Sequence, residues 1–168
     1  MALVRTVLKT EISTSNGFTT TSFTPSNNSL LVVFFGGVVQ GASAHASSDI
    51  SDGSLEWSKQ YGIDRQNTEG WACWLTCWTA EVTTGSSMTI TGTVSGTQDS
   101  VAIMVVEYTG YNTTTPLGAY INTYRDDADG SWTTNLSASP AEDSDVLAAV
   151  VADNWDTNDA IQYGTGWS

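Results

Sequence analysis

The chain has 168 residues, about one domain's worth, and its 18 acidic and 5 basic side chains give a formal net charge of -13. A chain of that length can bury a core without disulfide or metal staples. The five cations, Arg5, Lys9, Lys59, Arg65 and Arg125, cannot assemble a phosphate-binding patch, so no nucleic-acid partner is expected, and an anionic membrane surface would repel the chain.

The opening MALVRTVLKTEIS carries neither the long apolar stretch nor the small-residue cleavage site of a secretory signal. Residues 3–12 instead read as a strand, and 1–12 serve either as an edge strand or as an N-terminal arm that docks on a neighbour. Further strands are predicted at 18–24 and 29–35 (SLLVVFF). The apolar run Leu30–Val39 is too short to span a bilayer and is interrupted by Gly36-Gly37. Strands follow at 55–61, 71–82, 87–94 (SMTITGTV), 101–108 (VAIMVVEY), 118–124, 131–136 and 146–152 (VLAAVVA), with a fainter pattern at 161–167.

These strands are of two kinds. In 87–94, Met88, Ile90 and Val94 share one face while Thr89, Thr91 and Thr93 share the other, which describes a half-buried antiparallel strand with a wet threonine face. The runs 30–35, 101–106 and 146–151 are apolar on both faces and belong in the middle of a sheet, covered on both sides. No helical pattern lies between strands to make parallel crossovers. A single turn after Ser139-Pro140 is the most helix the sequence offers. The prediction is an all-β, antiparallel β-sandwich of jelly-roll or immunoglobulin-like type, forming one domain over 1–168.

The segment WACWLTCW, residues 71–78, holds three tryptophans and both cysteines. On a helix the cysteines would lie about 6 Å apart along the axis, but on a strand they are about 13 Å apart. A disulfide needs Cα atoms within about 7 Å. Gly70 before it, Thr83-Thr84-Gly85 after it and its Trp/Thr/Cys content favour a strand, so Cys73 and Cys77 neither bond each other nor share an ion. A bond to another copy stays open. Zinc would need four ligands, and the chain has two cysteines and one histidine, His45. By parity Trp74 and Trp78 point inward with Ala80 and Val82, and Trp71, Cys73 and Leu75 point outward unless a bulge flips the phase. Either way that half-strand has a face too apolar to stay wet. It must be covered by a loop of the chain, a protein partner or a carbohydrate.

Catalytic patterns are sparse. His45 has no nucleophile elbow to serve. The acids Asp49, Asp52, Asp64, Glu69 and Glu107 cannot be paired from sequence. Glu107, closing an apolar strand, is expected to reach water at the strand exit. The acidic loops RDDADGSW and DNWDTND could offer oxygens to calcium, but the first departs from an EF-hand at its first and twelfth positions, and solvated turns are the reading favoured for both. No metal and no cofactor is expected.

The succession FTPSNNSLLVVFF, ISDGSLEWSKQ, WLTCWTAEVTTGSSMTITGTVSG and VAIMVVEYTG, within about residues 18–152, resembles a β-sandwich module of bacteriophage virion proteins and some bacterial surface proteins. The resemblance implies a structural or binding role without a catalytic residue: a capsid decoration protein, a tail or fibre component, or an adhesin module. The expectation is therefore a non-enzymatic virion protein, assembled in the host cytoplasm, that packs against capsid or other virion protein and against neighbouring copies. Trp71, Cys73, Leu75 and Trp155 are the residues expected to meet the partner. The alternative is a glycan-binding module, using Trp155 beside Asp153 and Asp156, or Tyr111 and Tyr120.

Overall fold

The computed structural model describes residues 2–40, 48–66, 71–96, 98–118 and 145. Eight strands are present and no helix is found among the described residues: β1 (Val4–Ser13), β2 (Gly17–Thr19), β3 (Ser29–Gln40), β4 (Ser48–Ser51), β5 (Ser58–Gln66), β6 (Trp71–Val82), β7 (Thr91–Val94) and β8 (Ser100–Thr109). They form two antiparallel sheets, one of five strands in the order β1-β8-β3-β6-β5 and one of three in the order β2-β7-β4. The all-β antiparallel sandwich read from the sequence is the architecture observed. The strands predicted at 118–124 (beyond Gly118), 131–136, 146–152 and 161–167 lie outside the described residues, and with them the choice between jelly-roll and immunoglobulin-like topology.

Two of the three doubly apolar runs, 30–35 and 101–106, take inner places of the large sheet, and the third, 146–151, lies outside the described residues. β3 is its central strand and β8 is flanked by β1 and β3. The odd-numbered residues Leu31, Val33 and Phe35 of β3 and Val101, Ile103 and Val105 of β8 meet Ile50 and Ile90 of the small-sheet layer in the sandwich core. Trp74 and Trp78 join this core, so the parity reading of β6 holds. β6 pairs with β3 from Trp71 to Val82 without a register shift, and no bulge inverts its faces. Burying side chains of this size contributes about 1.5–3 kcal/mol each against leaving them in water.

The large sheet is apolar on its other face as well. Leu30, Val32, Phe34, Leu75, Cys77, Val106 and Tyr108 form a second buried cluster there. The chain beyond Gly118 reaches this face at Asp145, whose carboxylate accepts a 2.7 Å hydrogen bond from the Tyr108 hydroxyl.

Several boundaries differ from those predicted. β3 continues through Gly36-Gly37 to Gln40. An ideal Cβ on Gly37 would sit 2.7 Å from the Ser100 carbonyl oxygen and 3.0 Å from the Trp74 indole. Glycine is what lets that ring lie against the strand, and it does not end the strand. β4 was not predicted, because SDIS has one apolar residue in four. The strand expected at 55–61 begins at Ser58 instead, since 52–57 is a turn built on Asp52. The strand predicted at 18–24 is instead the short β2, Gly17–Thr19, followed by an isolated bridge from Phe23 to Met88.

The Asp52 turn makes a pH prediction. Its carboxylate accepts hydrogen bonds from the Ser54 hydroxyl, the Leu55 amide at 3.0 Å and the Trp57 indole N–H at 2.9 Å. Partial burial opposes the charge, but these donors outweigh it and hold the Asp52 pKa below its ordinary 3.8. A depressed folded-state value stabilises the fold above the unfolded pKa, and that contribution is lost as pH falls through the folded one. Wild type should therefore lose more stability than Asp52→Asn on acidification below about pH 3.8. Parallel urea titrations at pH 6 and pH 3 check this, and equal losses in both proteins would refute it.

Candidate functional site

The residues expected to meet a partner are distributed unevenly over the fold. Trp71 opens β6. Cys73 is half-buried on the outer face of the large sheet, while Leu75, expected on an outward surface, is buried in the chain's own second cluster. Trp155 lies outside the described residues, as do His45, Glu69, Tyr120 and both acidic loops considered for calcium.

The reactive groups near WACWLTCW are held in structural roles. Cys77 is buried and hydrogen-bonded to Tyr61, its cross-strand neighbour on β5. Burial pushes the Cys77 thiol up to about 12, leaving about a thousandfold less thiolate than at the ordinary value of 9.0. Burial likewise pushes the Tyr61 hydroxyl well above its usual range. Neither cysteine forms a disulfide within the chain. On the opposite face the indole N–H of Trp74 donates to Gln98 Oε1 at 2.7 Å, and that of Trp78 donates to Thr76 Oγ1 at 3.0 Å. Thr76 Oγ1 in turn donates to the Phe35 carbonyl at 2.9 Å. Lys59 lies over the Trp78 ring, 5.5 Å from its centroid.

Glu107 corrects the sequence reading. It is buried rather than reaching water at the strand exit, and it faces the turn Pro25–Ser29. One carboxylate oxygen accepts from the Ser26 amide and the other from the Ser26 hydroxyl at 3.2 Å. Asn28 in that turn has φ 53°, a left-handed conformation that asparagine tolerates better than most residues. Glu107 is thus a turn anchor. Asp145 is likewise engaged, accepting from Tyr108 and pairing with Arg5 Nη1 at 3.1 Å. Burial and the Asp145 carboxylate both push the Tyr108 hydroxyl upward. Among the described residues, no three His, Cys, Asp or Glu side chains are grouped to hold a metal ion.

Among the described residues, three of the four exposed large hydrophobic side chains sit on β1. Val4, Val7 and Ile12 are 52 %, 56 % and 52 % exposed, and Leu117 at 42 % is the remaining large exposed hydrophobic among the described residues. β1 pairs with β8 along its length, so residues 4–13 occupy a place in the sheet and do not form a detached arm. A register shift between Val7 and Lys9 places one extra residue, Leu8, in β1. The shift brings Val7 onto the same outer face as Ile12, while Leu8 packs toward the sandwich core. Sequence reasoning offered this segment for docking only as a detached arm and missed its exposed face, because a bulge in one strand has no local signature in VRTVLKTEIS. Compared with known protein families, curated proteins and solved structures, the chain matches none.

Proposed function

We propose that this chain is a non-enzymatic structural protein of a bacteriophage particle, packing on the capsid exterior as a decoration protein. The observation that carries the reading is the concentration of exposed apolar side chains on β1, which suits a module that works by packing against protein. Two further features support it. The Glu107, Asp52, Asp145 and Cys77 side chains serve the fold itself, and a net charge of -13 suits an outer surface better than a DNA-facing lining. The indoles of Trp57, Trp74 and Trp78 donate inward to partners within the chain, so nothing in the described fold favours glycan stacking over protein packing.

The test is immunogold electron microscopy of the high-mass fraction from a producing culture, with antibody to this chain. Labels spread over capsid shells are the expected result. Labels confined to a tail or fibre tip would move the role to host recognition, and absence of label from all particles would overturn the virion reading.

A further inference from the structure

From the proposed role, on which this inference rests, we infer that the docking surface is the outer-face strip of β1 and β8, and that its partner is a protein surface carrying an apolar patch rimmed by lysine or arginine. The strip is read from register. Ile12 stands opposite Ala102, Thr10 opposite Met104 and Val7 opposite Val106. Ala102 and Met104 are partly exposed and Val106 is buried, so the strip runs from covered apolar surface at Val106 out to Val7 and Ile12. It continues the outer apolar face of the large sheet to its β1 margin.

Two features of β1 decide how it is met. The Leu8 bulge interrupts the ladder. Lys9 is tied to Glu11 at 3.8 Å and to the Thr21 hydroxyl, while Glu11 accepts from the Thr21 amide at 3.1 Å. Bulges and charged side chains of this kind blunt a strand against edge-to-edge pairing. The surface is therefore offered as side chains on a face, and the partner adds no strand.

Charge selects the partner. The chain holds 18 acids against 5 bases. Of the cations, Arg5 is paired with Asp145, Lys9 with Glu11, and Lys59 covers Trp78. An acidic partner finds these cations already engaged, and a second copy brings a like net charge of -13. At the Ile12 end the exposed Asp99 immediately precedes β8. A basic rim complements this field, steers the encounter and makes binding salt-dependent.

Co-sedimentation of the purified chain with intact shells from the producing culture tests this between 50 and 500 mM salt. Wild type should bind, more weakly as salt rises. Val7→Asp and Ile12→Asp should each weaken binding at least tenfold, while Thr93→Asp, on the outward face of the small sheet, should bind as wild type does. Tryptophan fluorescence identical to wild type confirms that the variants are folded, and Val7→Ala and Ile12→Ala serve where an aspartate variant is not. If wild type binds and the β1 variants bind equally well, the strip is wrong while the virion reading stands. Binding that strengthens with salt overturns the basic partner, and a wild-type chain that self-associates through β1 replaces it with a second copy. A wild-type chain that binds no particle overturns the virion reading and this inference together.

Discussion

Trp74→Ala is expected to destabilise the fold by about 3–5 kcal/mol. That is a large part of the roughly 5–15 kcal/mol that holds a domain together. Trp74 is 1 % exposed, and its ring meets Phe35 edge-on with centroids 4.9 Å apart and planes at 88°, a favoured aromatic geometry. Its indole N–H also binds Gln98, itself buried. Gln98 lies between β7 and β8, and its backbone amide is held by Asn16 Oδ1 at 2.8 Å. One side chain thus ties β6 to β3 by packing and to the β7–β8 connection by a hydrogen bond. Alanine removes both ties and leaves a cavity that the Gly37 backbone cannot fill. Trp74→Phe separates the two contributions, because it keeps most of the ring but orphans the Gln98 acceptor, for a loss of about 1–3 kcal/mol. Urea denaturation with an unchanged m-value measures both. If phenylalanine cost as much as alanine, the hydrogen bond and not the packing would dominate.

The inward tryptophans were legible because a strand has a period of two and Ala80 and Val82 fix its phase. The central positions of β3 and β8 were legible because both their faces are apolar. Other features depended on contacts that no local window contains. Gly36-Gly37 looks like a strand breaker until the approach of Trp74, thirty-seven residues later, is known. Leu55 and Trp57 alternate as a strand would, yet Asp52 collects the Leu55 amide and the Trp57 indole into a turn. Of the β6 residues read as apolar and outward by parity, Leu75 does lie on the outer face of the large sheet. Parity gives no information on whether the outer face of a central strand is covered, and there Leu75 is buried. The surface that does stay exposed owes its position to one extra residue in β1, and both VRTVLKT and its β8 partner look regular in isolation.

Gly85→Ala should be nearly as damaging as loss of a core tryptophan, at about 2–5 kcal/mol, although it adds one methyl group in a surface turn. An ideal Cβ at Gly85 lies 2.0 Å from the Pro25 carbonyl oxygen and 3.0 Å from its carbon. Both are backbone atoms, so no side chain can rotate away, and one of the two turns must move. The Pro25–Ser29 turn is fastened at several points: Glu107 holds Ser26, the Gly85 amide donates to Asn27 Oδ1 at 2.7 Å, and the Asn28 amide donates to the Thr83 carbonyl at 3.2 Å. Overpacking of this kind costs about 1–3 kcal/mol. Pulling Ser26 off a buried carboxylate costs about as much again, because the orphaned charge has no water to turn to. Gly118→Ala is the control, since its Cβ would meet nothing within 4 Å and its φ needs no glycine. It should change stability by less than about 0.5 kcal/mol. Thermal melts of the two variants beside wild type decide the matter. If Gly85→Ala melted with Gly118→Ala, the turn would be free to shift, and Glu107 would be a tether rather than an anchor. If Glu107→Gln, which keeps the shape but not the charge, recovered most of the stability lost in Glu107→Ala, the hydrogen bonds to Ser26 would be what fixes the turn.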